Sequence, residues 1–160
     1  VNLLFHGSTD RDETAARRRE ANDMKNTEEQ KQYHILIVED DVPTLEAIGH
    51  KLSTAGFVIE SATDGQTALG RLQGGAYDGV LLDLRMPVRD GFWFLEEKNK
   101  DPSVASCPVV IFTNLAGEEQ LRRALDLGVR GYLKKSKHSI QEIVDEVRTC
   151  METGKCRIDY

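Results

Sequence analysis

The stretch ILIVEDDVP, residues 35–43, sets an unbroken apolar run against three acids and a proline. Ile35, Leu36, Ile37 and Val38 show no polar alternation, which is what a strand covered on both faces requires. Pro43 stands where a helix can begin, because the N–H it lacks would have no partner in a first turn. Leu45, Ile48 and Leu52 then recur at helical spacing, and Ala55-Gly56 ends the helix. A strand running straight into a helix is half of a βαβ unit.

The unit repeats outward along the chain. Phe57-Val58-Ile59 reads as a second strand, and Asp64 caps a helix carrying Ala68, Leu69 and Leu72 that stops at Gly74-Gly75. Val80-Leu81-Leu82 is a third strand leading into Asp83, with a helix from Phe92 to Lys98 after it. Val109 to Phe112 is a fourth strand ending at Thr113, and Glu118 to Leu127 is a helix stopped by Gly128. Tyr132-Leu133 marks a short fifth strand. Ser139 caps a last helix with an apolar stripe of Ile140, Ile143, Val144, Val147 and Met151. Five strands alternating with five helices predict right-handed crossovers and an α/β fold: a doubly wound five-stranded parallel sheet with helices on both faces.

The organisation predicts three segments: a disordered or loosely helical N-terminal tail over 1–32, one domain over 33–152 and a short C-terminal tail over 153–160. The first segment has almost no apolar periodicity, so little burial offsets the entropy of ordering it. Its Arg17-Arg18-Arg19 triplet is largely cancelled by Asp12, Glu13 and Glu20, and Met24 opens a natural-looking start. A chain of 160 residues suits one ordinary domain. A net charge of −6 argues against a general nucleic-acid binder, which needs a basic surface. No apolar run approaches the ~20 residues of a spanning helix, and no signal-peptide core is recognisable, so no membrane role is expected. Cys107, Cys150 and Cys156 suggest neither a paired framework nor a CxxC knuckle, which fits a reducing, cytoplasmic setting. The four histidines have no metal-ligand spacing.

In doubly wound sheets the functional crevice lies at the carboxyl ends of the strands. Strand one ends in Glu39-Asp40-Asp41, strand three in Asp83, strand four in Thr113, and strand five just before Lys134-Lys135. Crowded carboxylates resist ionising unless a cation sits among them. Oxygen-only ligands with room for water suit Mg²⁺, and a lysine beside them can neutralise an incoming phosphoryl group. Phosphoryl transfer needs little beyond such positioning, with a carboxylate as nucleophile. Asp83 is the candidate.

The segments ILIVEDD (35–41), VLLDLRMPVRDG (80–91), VVIFTN (109–114) and GYLKK (131–135) together resemble the receiver domain of two-component response regulators. Any one of them is weak evidence; all four in order, each at a strand end, are highly specific. The resemblance covers about residues 34–151 and implies a flavodoxin-like (βα)5 three-layer sandwich. It implies that Asp83 is the phosphoacceptor, that Glu39 and Asp40 hold Mg²⁺ with Asp83 and the backbone carbonyl of Arg85, and that Asp41 assists less directly. Thr113 is expected to bond a phosphoryl oxygen, Lys135 to pair with another, and Tyr132 to act as a switch aromatic. The family lysine falls three residues after the aromatic, which selects Lys135, and strand alternation leaves Lys134 as a solvated residue. Implied partners are a histidine kinase or histidine phosphotransfer protein and a downstream protein, with the chain a monomer or a phosphorylation-dependent dimer. The expected role is a stand-alone switch resembling chemotaxis regulators, not a turnover enzyme.

Three positions depart from the family pattern. Ser136 replaces the usual proline, and a non-proline cis bond costs about 3 kcal/mol. Arg85 and Asn114 stand where side chains flank the phosphoryl group, and Asn114 is larger than usual there. Three rivals meet contrary residues. A phosphorylation-independent interaction module is favoured by loss of Asp83, Asp40 or Lys135, and all are present. A flavodoxin-like electron carrier needs a phosphate loop where Glu39-Asp40-Asp41 stand, and an aspartyl phosphatase carries DxDx[TV] after strand one where this chain has EDDVP.

Overall fold

The central strands form because their sequences are apolar on both faces, and the computed structural model shows them buried except at His34, the first residue of the first strand. It describes residues 31–115 and 117–160. The expected N-terminal tail lies outside the described residues except at its last two positions. Gln32–Tyr160 form one compact unit.

In chain order the elements are β1 (His34–Val38), α1 (Val42–Thr54), β2 (Val58–Ala62), α2 (Gly65–Gly74), β3 (Gly79–Leu82) and α3 (Gly91–Lys100). They continue with β4 (Val109–Thr113), α4 (Glu118–Asp126), β5 (Gly131–Lys134), a 3-10 turn at Lys135–Lys137 and α5 (Ile140–Thr153). All pairings are parallel, in the order β2-β1-β3-β4-β5. Strand order reverses between β1 and β3, which opens the crevice there.

Two cores cover the two faces of the sheet. Ile35, Ile37, Leu81, Val110 and Phe112 meet Ile48 and Leu52 of α1 and Ile143, Val144 and Val147 of α5. Leu36, Val38, Leu82 and Ile111 meet Ala68 and Leu72 of α2, Phe94 and Leu95 of α3 and Leu121 and Ala124 of α4. β4 is wholly buried, whereas edge strand β2 alternates, with Val58 open to water. The caps read from the sequence are made: Asp64 accepts from the Thr67 N–H, and Ser139 forms a reciprocal capping box with Glu142.

Four expectations are corrected. The second strand begins at Val58, because the Phe57 N–H donates to the Leu52 carbonyl and closes the turn after α1. β5 runs on through Lys134, so only Lys135 stands in the turn after it, where both lysines were expected beyond the strand. Cys150 and Cys156 are joined as a disulfide, leaving Cys107 as the free thiol, so cysteine content gives no support for a reducing compartment. The pairing escapes spacing rules because it depends on Gly154, whose left-handed φ of 70° turns the chain back after α5. The same reversal lays the last residues along β5, with Ile158 bridged to Tyr132, where a short tail was expected.

Candidate functional site

The carboxyl ends of β1 and β3 lie side by side, Val38 opposite Leu82, so the residues that follow them meet. Glu39 and Asp83 are buried and Asp40 is exposed; one oxygen from each lies within 4.8 Å of the others. The Asp83 N–H donates to the Val38 carbonyl at 2.9 Å, fixing the backbone of one acidic position to the end of the other strand. Gly91 permits the approach of α3 beneath the site, since a Cβ there would lie 2.5 Å from the Asp83 carbonyl.

The turn after β5 brings Lys135 across. Its Nζ donates to Asp83 Oδ2 at 3.1 Å and forms a closer ion pair with Glu39 Oε2. The ammonium also lies 5.0 Å from the centre of the Phe112 ring, a contact hidden from the sequence because Phe112 reads only as strand core. Burial pushes the Glu39 carboxyl above its usual range, against the pull of Lys135. Two of the three carboxylates pair with the one ammonium, leaving negative charge in excess. All the acidic ligand atoms are oxygens and Asp40 opens to water, so the set fits a hard divalent cation that keeps some of its waters.

The structure separates the remaining expected residues. Asp41 caps α1 through the Thr44 N–H at 3.0 Å and stands outside the cluster, because its carboxylate is committed to the helix. The Arg85 N–H donates to Asp83 Oδ1 at 3.3 Å, which places the Arg85 peptide against the site. Thr113 is fully buried at the end of β4, and its hydroxyl accepts the Leu115 N–H at 3.1 Å; no hydrogen bond joins it to Asp83. Tyr132 is fully buried, with its hydroxyl donating to the Leu115 carbonyl at 2.9 Å. Burial, and secondly the charge of Asp83, push the Tyr132 hydroxyl up. Lys134 is half-buried, and its side chain takes no part in the cluster.

The profile of the response regulator receiver domain matches residues 35–148. The chain belongs to the response regulator receiver family. It is 34% identical over 124 residues to the probable transcriptional regulatory protein SilR of Salmonella typhimurium, covering 78% of this chain and 53% of that one. The chain spans between 15% and 53% of the length of the curated relatives it matches. Among solved structures, the phosphorylated cyanobacterial phytochrome response regulator RcpA superposes with a TM-score of 0.69 at 26% identity, covering 77% of this chain and 96% of that one. The Mn²⁺-bound form of response regulator Rcp1 gives 0.67 at 27% identity, covering 76% and 96%. The receiver domain is the phosphoryl-accepting switch of two-component phosphorelay signalling, and its acidic cluster is where such domains take a divalent metal. Among the described residues no helix is long and apolar enough to cross a membrane.

Proposed function

We propose that this receiver accepts a phosphoryl group on Asp83 with Mg²⁺ held by Glu39, Asp40, Asp83 and the Arg85 carbonyl. The observation that supports it most is the contact of Lys135 Nζ with Asp83 Oδ2 inside a cluster otherwise made of carboxylates. An Asp83 oxygen bonds to phosphorus while the bond from phosphorus to the donor breaks, and the donor leaves with that electron pair. In a phosphohistidine the leaving group is the imidazole. Lys135 meets the charge brought by the phosphoryl oxygens, and Mg²⁺ held by Glu39, Asp40 and Asp83 would supply further positive charge to them. The reading is of a switch, phosphorylated by a histidine kinase or phosphotransfer protein in the cytoplasm and read by a downstream protein target or a second copy.

Leu115 gives the signal a route outward. Its N–H is held by Thr113 and its carbonyl by Tyr132. When the Thr113 hydroxyl turns to donate to a phosphoryl oxygen, it lets go of the Leu115 N–H, and the loop that anchors Tyr132 is freed to move. The face built from α4, β5 and α5 then shifts between two arrangements, to the extent that phosphorylation favours one of them.

Intact-mass measurement with acetyl phosphate and Mg²⁺ tests the acceptor: wild type gains one phosphoryl group and Asp83→Asn gains none. Equal labelling of the variant would falsify the assignment. Amide NMR with beryllofluoride tests the route, with shifts expected at Leu115, Tyr132 and α4. Silence there would remove the route and leave the acceptor intact.

A further inference from the structure

β5 is the edge strand of the sheet, and an edge presents unpaired N–H and C=O groups unless something covers it. Residues 156–160 cover this one. The Tyr132 N–H donates to the Arg157 carbonyl at 2.9 Å, and the Asp159 N–H donates to the Tyr132 carbonyl at 2.8 Å. Asp159 is buried, and its Oδ2 accepts the Lys134 N–H at 2.9 Å and lies 2.6 Å from His138 Nε2. Arg157 pairs with Glu146 of α5 at 2.8 Å. Gly131 makes the approach possible, since a Cβ there would lie 3.1 Å from both the Arg157 carbonyl and Cys156 Cβ.

Two backbone hydrogen bonds, the buried Asp159 carboxylate, the Arg157–Glu146 pair, a Lys137 contact with the Tyr160 carbonyl and the partly buried Ile158 hold the strap on an isolated bridge, without the repeated ladder of a paired strand. The covalent link makes the docking intramolecular over a short tether: Cys156 is tied to Cys150 in the last turn of α5, six residues away. We propose that Cys150 and Cys156 are a reversible thiol–disulfide site whose state decides whether residues 156–160 stay on the β5 edge. Cys150 is buried and Cys156 half-buried, so Cys156 Sγ is the sulfur open to attack. One thiolate of a dithiol reductant bonds to Cys156 Sγ, and the S–S electron pair leaves on Cys150, which takes a proton. The second thiol then attacks the mixed disulfide and departs with the first as a cyclic disulfide, leaving Cys156 as a thiol. Two electrons and two protons pass from the reductant to the pair. An oxidant of the disulfide class reverses the exchange.

Because the strap bonds to the backbone of Tyr132, it controls access to the same strand that carries the switch aromatic, but the redox site itself does not depend on phosphorylation. Hydrogen exchange on the full chain tests the proposal, with thiol state fixed by alkylation and mass measurement after unfolding. With glutathione disulfide, Cys150 and Cys156 are expected to resist alkylation; after dithiothreitol both should react. On reduction the amides of Tyr132, Lys134 and Asp159 are expected to exchange at least about tenfold faster while those of β1 and β3 hold, the mark of a local opening. Cys156→Ser should show the fast exchange with or without reductant. Thiols that stay free under glutathione disulfide, or edge amides that stay protected after confirmed reduction, overturn the proposal.

Discussion

A half-buried lysine and a buried one stand at opposite ends of the sheet, and their surroundings differ in sign. Lys135, beyond the carboxyl end of β5, pairs with Glu39 and Asp83 and lies among three carboxylates. Lys98, at the end of α3 near the start of β4, is 3% exposed and, among the described residues, donates only to the Ala105 carbonyl at 2.6 Å. Burial pulls the Lys98 ammonium below its usual range, with only the neighbouring Cys107 opposing it. A half-buried cation surrounded by an excess of acid marks a place where charge is handled. A buried cation capped by one carbonyl is a helix end whose aliphatic stem has been packed away. The difference predicts opposite signs for the same kind of substitution.

The largest effect is expected at Lys135. Lys135→Ala leaves buried Glu39 and Asp83 without their ammonium, and breaking such a pair costs on the order of 3 kcal/mol. Urea unfolding with a chelator present should show that loss, and Mg²⁺ should shrink it by replacing the missing positive charge. Lys134→Ala, at a side chain outside the cluster, should stay within about 0.5 kcal/mol of wild type. Equal losses at the two positions would mean that the turn after β5 presents the wrong lysine.

Asp40→Ala comes next. Asp40 is the exposed member of the acidic set, so its removal takes away an anionic ligand without opening the core. Mg²⁺ affinity should fall at least about tenfold, or ~1.4 kcal/mol, while Lys98→Met leaves it unchanged. Matching titrations for Asp40→Ala and wild type would place the metal elsewhere.

A smaller effect belongs to the loop after Asp83. Val88 has a φ of 67°, in the left-handed region that a β-branched residue rarely enters, and it is among the exposed apolar residues. The Arg89 N–H donates to the Pro87 carbonyl at 2.8 Å across it, closing a tight turn. Asparagine tolerates this conformation, so Val88→Asn should stabilise by about 1 kcal/mol. No gain on chemical unfolding would show the turn to be unstrained.

The carboxyl end of the sheet was legible because two local signals coincide there. An unbroken apolar run names a buried strand, and an acid directly after it has nowhere to go but the strand end, as at Val38-Glu39 and Leu82-Asp83. Asp41 shows the limit of that logic: ligand and helix cap call for the same side chain, and only the path of α1 decides between them. The amino end left no comparable trace, since Lys98 reads as one more helix-surface lysine. The β5 edge was hidden for a different reason. Its cover depends on the turn at Gly154 and on the missing side chain at Gly131, and neither glycine announces what it admits. Legibility therefore fell where a contact depends on the chain reversing rather than on a repeating pattern.

The smallest effect sharpens the contrast between the two lysines. Lys98→Met keeps the apolar stem, removes the ammonium, and leaves the half-buried Ala105 carbonyl within reach of water. The folded-state pKa of Lys98 lies below the 10.5 of an ordinary lysine. Between those two values the unfolded chain binds more protons than the folded one, so wild-type stability rises with pH across that window. The cost of burying the charge is thus complete at neutral pH and fades as pH climbs through the folded pKa. Lys98→Met should be more stable than wild type by up to about 1 kcal/mol at neutral pH, and the two should converge above 10.5. Tyr77, whose hydroxyl burial pushes up to about 12, stays neutral across the window and is common to both proteins. Denaturant unfolding of the pair at several pH values measures the difference directly. A loss of stability at neutral pH would show that the bond from Lys98 to Ala105 outweighs the cost of burying its charge, and the two ends of the sheet would then be alike in sign.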